Sequence, residues 1–123
     1  MKELTKAEDQ IIQILWRLEK AFVKDIIDEL PEPKPAYNTV STIVRILEKK
    51  GFVGYKAYGK THEYFPLVQR EHYTRFYLNN MVKGYFNGSI QNLVSFFARE
   101  NNLNVQDIDQ LVKELDNLKK QTP

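Results

Sequence analysis

The 123-residue chain has no cysteine, which removes disulfide frameworks, thiolate metal sites and cysteine nucleophiles together. It has only two histidines, His62 and His72, and neither has a second His, Asp or Glu at ligand spacing, so no metal site and no cofactor is expected. No uninterrupted apolar run approaches the roughly 18 to 20 residues of a membrane span. The opening MKELTKAEDQ is too charged for a signal peptide, so a soluble, cytoplasmic protein is expected. Paired carboxylate motifs, a nucleophile beside a base and a phosphate-cradling glycine loop are all missing, and an enzyme is not expected. An excess of charge of either sign is also lacking, the net being +2 overall.

That small charge is unevenly placed. Between Lys34 and Lys60 six cations (Lys34, Arg45, Lys49, Lys50, Lys56, Lys60) face one anion, Glu48, a local excess of +5 that leaves −3 for the remainder. The excess coincides with residues 37–66, YNTVSTIVRILEKKGFVGYKAYGKTHEYFP, where a helical pattern ends at Gly51 and runs into a two-stranded hairpin. Val40, Ile43, Val44, Ile46 and Leu47 recur at helical spacing as an inward face, and Asn38, Ser41, Thr42, Arg45 and Lys49 fall on the polar side. Gly51 suits a left-handed C-terminal cap, with Lys49 and Lys50 at the negative end of the helix dipole. The strands are expected over 52–57 and 61–65, with Gly59 in the turn and Lys56 and Lys60 near its tip. A helix followed by such a hairpin is the layout of a winged helix-turn-helix.

The scaffold precedes and follows that stretch. Thr5 to Glu8 reads as a T-x-x-E capping box, and Ile11, Ile12, Ile14, Leu15 and Leu18 continue it as a first helix. After a short joint at 19–22, Val23, Ile26, Ile27 and Leu30 mark a brief second helix ended by Pro31, Pro33 and Pro35. Beyond Pro66 three helices are expected: one over 69–83, one over 89–99 with Gly84 and Gly88 punctuating the joint, and a last one capped by Asn104. The chain therefore divides into a winged-helix DNA-binding domain, 1–66, and a helical dimerisation domain, 67–123. With 42% apolar residues it can bury one small core plus an arm completed by a second copy. Tyr73, Phe76, Tyr77, Leu93, Phe97, Ile108, Leu111 and Leu115 are the expected dimer interface, in a two-fold homodimer that reads a palindrome.

The segments ILWRLEKAFVKDIIDEL, YNTVSTIVRILEKKGFV, YGKTHEYFPLV and FNGSIQNLVSFFARENNLNVQDIDQLVKEL together resemble the penicillinase-repressor family, the BlaI and MecI type, over nearly the whole chain. The resemblance implies a homodimeric transcriptional repressor on an operator palindrome, in a regulon of the antibiotic-resistance kind. It places Asn38, Thr39, Ser41 and Thr42 at bases, and the residues themselves offer Arg45, Lys49, Lys56 and Lys60 to the phosphate backbone. Ser41 stands where well-known members have arginine, so an operator different from theirs is expected. A membrane sensor-protease that cleaves the C-terminal arm is a further implied partner. The aligned step here is Phe96-Phe97, which keeps the second residue of the family's Asn-Phe step and lacks the first. The copper-responsive relatives use a cysteine cluster, absent here.

Two other functions suit the same residues. A winged-helix protein-interaction module would dock a partner on the polar face of the third helix. A DNA-binding regulator with a small-molecule effector would hold it among Tyr73, Phe76, Tyr77, Phe86 and Phe96.

Overall fold

Thr5 starts the fold as its capping signature requires. The Glu8 amide donates to Thr5 Oγ1 at 3.2 Å and the Thr5 amide donates to Glu8 Oε1 at 2.9 Å, satisfying two orphan donors of α1 (Lys6–Leu18). The computed structural model describes residues 1–122; Pro123, the last residue of the expected C-terminal domain, lies outside them. The joint at 19–22 contains a two-residue strand, β1 (Ala21–Phe22), followed directly by α2 (Val23–Glu29). Asp25 begins α2 by accepting the Phe22 amide at 3.0 Å.

After the proline run comes α3 (Tyr37–Lys49), which ends in two reciprocal bonds. Phe52 N–H donates to Leu47 C=O at 2.9 Å and Gly51 N–H to Glu48 C=O at 3.0 Å, the Schellman arrangement. Gly51 sits at φ +83°, a conformation in which any other L residue is strained. The reversal swings the buried Phe52 back under the helix and starts β2 (Val53–Tyr58), which turns through Gly59 and Lys60 into β3 (Thr61–Pro66). A two-residue connection with Gly59 at φ +64° matches the twist of the strands.

The sheet is three-stranded and antiparallel in the order β1-β3-β2. The sequence pointed to two strands; the third exists because Ala21 and Phe22 pair with Tyr64 and Glu63. The core gathers under it: Ile12, Leu15, Ile26, Val40, Val44 and Leu47 from the three helices meet Phe52, Val53 and Tyr64.

Three further helices follow: α4 (Arg70–Phe86), α5 (Ile90–Glu100) and α6 (Val105–Gln121). Ser89 and Asn104 cap α5 and α6, each accepting the amide three residues on, from Asn92 at 3.1 Å and Asp107 at 2.8 Å. Gly84 does not break α4, contrary to the sequence reading. The helix continues through it to Phe86, and Asn87 and Gly88, at φ 52° and 77°, make the turn.

Two compact units result, Met1–Leu78 and Asn79 onward, whereas the sequence reading divided the chain after Pro66. The first half of α4 belongs with the winged helix because Trp16 Nε1 donates to Val68 C=O at 2.9 Å and the Leu4 amide donates to the Tyr73 hydroxyl at 2.8 Å. Tyr73 is buried and meets Phe52 edge-on, with ring centroids 5.6 Å apart. Tyr73→Phe keeps the ring and strands the Leu4 amide, so urea unfolding should show a loss of about 1 kcal/mol. An unchanged midpoint would mean that water replaces the hydroxyl without loss.

Candidate nucleic-acid interface

Helix α3 buries Val40, Val44 and Leu47 and presents Asn38, Thr39, Thr42, Arg45 and Lys49 to solvent. That exposed face is where bases and phosphates would be met, since a reading helix lies in the major groove with its N-terminal residues at base edges. Thr42 Oγ1 donates to the Asn38 carbonyl at 2.8 Å. Its own proton is thus committed within the helix, leaving an acceptor lone pair and a methyl group to a base edge.

Ser41 is a correction. Expected among the base contacts, it is buried. In helical projection it stands roughly 60° from Val44, on the flank of the inward face rather than opposite it. A buried position of this kind has little room for a longer side chain, so Ser41 serves packing at the helix flank. Ile46 is the reverse case: expected to face inward, it is 39% exposed beside Thr42 and Thr39. An aliphatic side chain there can meet a thymine methyl. Tyr37, the first residue of α3, is also exposed and was absent from the expected site. Its signal was its position at the helix start.

The wing carries its two expected cations, Lys56 and Lys60, both exposed. Lys60 lies in the turn. Lys56 lies on the outer face of the hairpin, opposite Glu63 in register and with its ammonium 5.3 Å from the centre of the Tyr58 ring. Two other cations of the basic stretch are occupied by the fold. Lys34 donates its ammonium to the Asp28 and Leu30 carbonyls at the end of α2. Lys50 pairs with Glu8 at 2.7 and 2.9 Å, tying the end of α3 to the start of α1. Among the described residues, Arg45, Lys49, Lys56 and Lys60 are therefore the cations of this stretch left without an ion pair or a helix-end carbonyl.

Of the residues expected at a dimer interface, Tyr73 is buried in the core of the first unit and Phe76 lies half-buried against it. Tyr77 is exposed, at the edge of a groove of about 560 Å³ between α1 and α4 whose rim carries Lys6, Asp9 and Arg70. In the second unit Leu93 is half-buried while Phe97, Ile108, Leu111 and Leu115 are 40–59% exposed. Phe96, of the Phe96-Phe97 step, is 48% exposed and packs on Phe86 at 5.7 Å. The aromatic set considered for an effector is thus divided, with Tyr73, Phe76 and Tyr77 in the first unit and Phe86 and Phe96 in the second. Among the described residues no helix is long and apolar enough to cross a membrane, and no group of three or more His, Asp or Glu could hold a metal ion.

Three helices, a small sheet and a cationic hairpin beside a polar helix face define a winged helix-turn-helix, the fold of DNA-binding regulators. The chain belongs to the penicillinase repressor family, which it matches over residues 4–117. It is 27% identical over 110 residues, 89% of each chain, to the methicillin resistance regulatory protein MecI of Staphylococcus aureus strain N315. To the penicillinase repressor of Bacillus licheniformis it is 21% identical over 115 residues, 93% of this chain and 90% of that one. The DNA-binding domain of the repressor BlaI, solved in solution, shares the fold with a TM-score of 0.50 at 23% identity, covering 59% of this chain and 94% of that one. The protein is accordingly a member of a repressor family.

Proposed function

We propose that the protein is a homodimer that binds a palindromic operator and represses by excluding polymerase. Asn38, Thr39 and Thr42 read base edges, with Arg45, Lys49, Lys56 and Lys60 on the phosphate backbone. The observation that carries this reading is the exposed polar face of α3 next to a wing whose two cations are free of ion pairs among the described residues. Hydroxyl and amide groups on the helix suit bases, and point charges around them suit phosphates. Two-fold pairing is supported by the helical arm, which leaves no residue of α5 or α6 buried.

The inferred regulon is of the resistance kind, because the relatives are named for methicillin resistance and penicillinase repression. A membrane sensor-protease is the inferred upstream partner, with Phe96-Phe97 as the candidate cleavage step in the exposed arm. Incubating the purified repressor with that class of protease should yield fragments ending at Phe96.

Two variants test the assignment of contacts. Thr42→Ala should change preference at one operator position by about tenfold, the scale of a single base contact. Lys60→Ala should weaken all duplexes several-fold alike and lower the salt slope of binding by about 0.9 for each phosphate released. Fluorescence anisotropy on palindromes taken from the DNA upstream of the gene, and on single-base variants of them, measures both. If the two variants weaken every sequence alike, Thr42 is no base reader.

A further inference from the structure

Tyr55 and His62 stack on the wing with ring centroids 4.2 Å apart and planes 8° from parallel. The register sets Tyr55 opposite Tyr64 and Ala57 opposite His62, so all three rings share one face of the hairpin. Tyr64 enters the core through that face, and Glu48, Arg45 and Tyr37 of α3 lie around its hydroxyl. The face is therefore turned toward the flank of the reading helix. Further out along it, Tyr55 is 44% exposed and His62 half-buried. No group among the described residues hydrogen-bonds the imidazole nitrogens, and no buried side-chain nitrogen is left without a partner, so they reach solvent.

His62 is held by ring contacts to Tyr55 and Tyr64 and uses neither nitrogen in a hydrogen bond among the described residues. A protonated imidazole offers two N–H donors and a positive charge. The Tyr55 ring keeps the imidazole in place by parallel stacking. We propose that Tyr55 and His62 form a phosphodiester-binding site on the wing, in which protonated His62 donates an N–H to a phosphate oxygen of the DNA backbone. The contact rests on the DNA-binding reading above and makes part of the affinity depend on pH. The neighbouring charges are few. From α3 come Arg45 and Glu48, of opposite sign. Lys56 and Glu63 oppose one another on the other face of the hairpin, and Lys60 lies in the turn. Strand β1 pairs through Ala21 and Phe22, which do not titrate, and α1 meets β3 through the apolar core around Tyr64. Helix α2, which also touches β3, carries Lys24, Asp25, Asp28 and Glu29, with the Asp25 carboxylate accepting the Phe22 amide.

The test uses the full chain and a fluorescently labelled duplex of random sequence, because a phosphate contact acts on any sequence. Salt titrations of anisotropy are run at about pH 5.5 and about pH 8, on either side of the ordinary histidine value near 6.5. Wild-type protein should show a steeper salt slope at the lower pH, by about 0.9 for each bound chain. His62→Gln should remove the difference, His62→Lys should keep the steeper slope at both pH values, and His72→Gln should behave as wild type. Circular dichroism at both pH values checks that each variant is folded. A pH difference that survives in His62→Gln, or disappears in His72→Gln, overturns the proposal, as does a wild-type slope that is the same at both pH values. Failure of the wild type to bind any duplex at either pH is a different result and overturns the DNA-binding reading along with this one.

Discussion

Exchanging Ile108 and Leu115 for aspartate should produce a monomer whose affinity for a palindromic duplex is lower by about a hundredfold or more. The expectation comes from what α5 and α6 leave in water. Val105, Ile108, Leu111, Val112, Leu115 and Leu118 form a stripe on α6 that is 40–75% exposed, and Ile90, Val94 and Phe97 of α5 are 46–60% exposed. Contiguous apolar surface of this kind seldom stays bare on a soluble protein, and a two-fold partner presenting the same stripe covers it. A buried carboxylate without a partner is costly, so two per copy should abolish the pairing. Both side chains are exposed in the single chain, and neither belongs to the core of the first unit, which should remain folded. Once unlinked, each winged helix binds its half-site alone and loses the effective concentration that its partner supplied. Sedimentation equilibrium measures the mass, and anisotropy the affinity. A double aspartate variant that remains a dimer with undiminished affinity would place the interface elsewhere.

Removing the Glu8 carboxylate should cost about 2–3 kcal/mol, through loss of half a capping box and abandonment of the Lys50 ammonium. The pair is sheltered unevenly. The Glu8 side chain is 5% exposed but that of Lys50 is 25% exposed, so in Glu8→Ala the lysine can turn to water, and the loss falls below that of a fully buried pair. Glu8→Gln should lose less, since an amide oxygen still accepts from Thr5. The pH dependence has a definite sign. Burial pushes the Glu8 carboxyl up, yet the hydrogen bond and charge of Lys50, with the bonds to Thr5, outweigh it and hold the carboxyl below its ordinary value. Its contribution is therefore complete above the unfolded-state value and is lost as pH falls through the lower folded value. Lys50→Met leaves burial opposed only by the bonds to Thr5, so the folded value rises and the variant recovers stability relative to wild type as the solution is acidified. Urea denaturation across the acid range measures all three variants. Parallel curves for wild type and Glu8→Gln would show that the pair is energetically silent.

Some of this architecture was legible from residues a few positions apart. The Thr5–Glu8 box, the Asn104 cap and the Gly51 terminator are local devices whose hydrogen bonds close within three to five residues, and each forms as its sequence signature implies. The helical periods of α1 and α3 were equally readable, because burying one stripe is a requirement each helix carries in its own sequence. Strand β1 was not. Two residues contain no alternation, and Ala21 and Phe22 are extended only because Tyr64 and Glu63 pair with them from more than forty positions away. Gly84 was read as a breaker, but a glycine can remain in a helix when the neighbouring turns hold it.

The candidate site divides along the same line. The winged-helix order, the basic stretch and the polar face of α3 could be stated from sequence, since they depend on composition and on the helical repeat, and the family from the resemblance of whole segments. Which members of that face are free could not. Ser41 and Ile46 exchange their expected sides because residues on the flank of a helix are buried or exposed by whatever packs there. Lys34 and Lys50 count as cations in the sequence, and only folding reveals that a helix end and Glu8 already hold them. Tyr73 and Phe76 have the spacing of an interface and the environment of a core. What the sequence determined by itself was the kind of protein, because local bonding and hydrophobic period are written in short range. Which side chains remain available to DNA or to a second copy was decided by tertiary structure, because availability is what is left after distant segments have taken their partners.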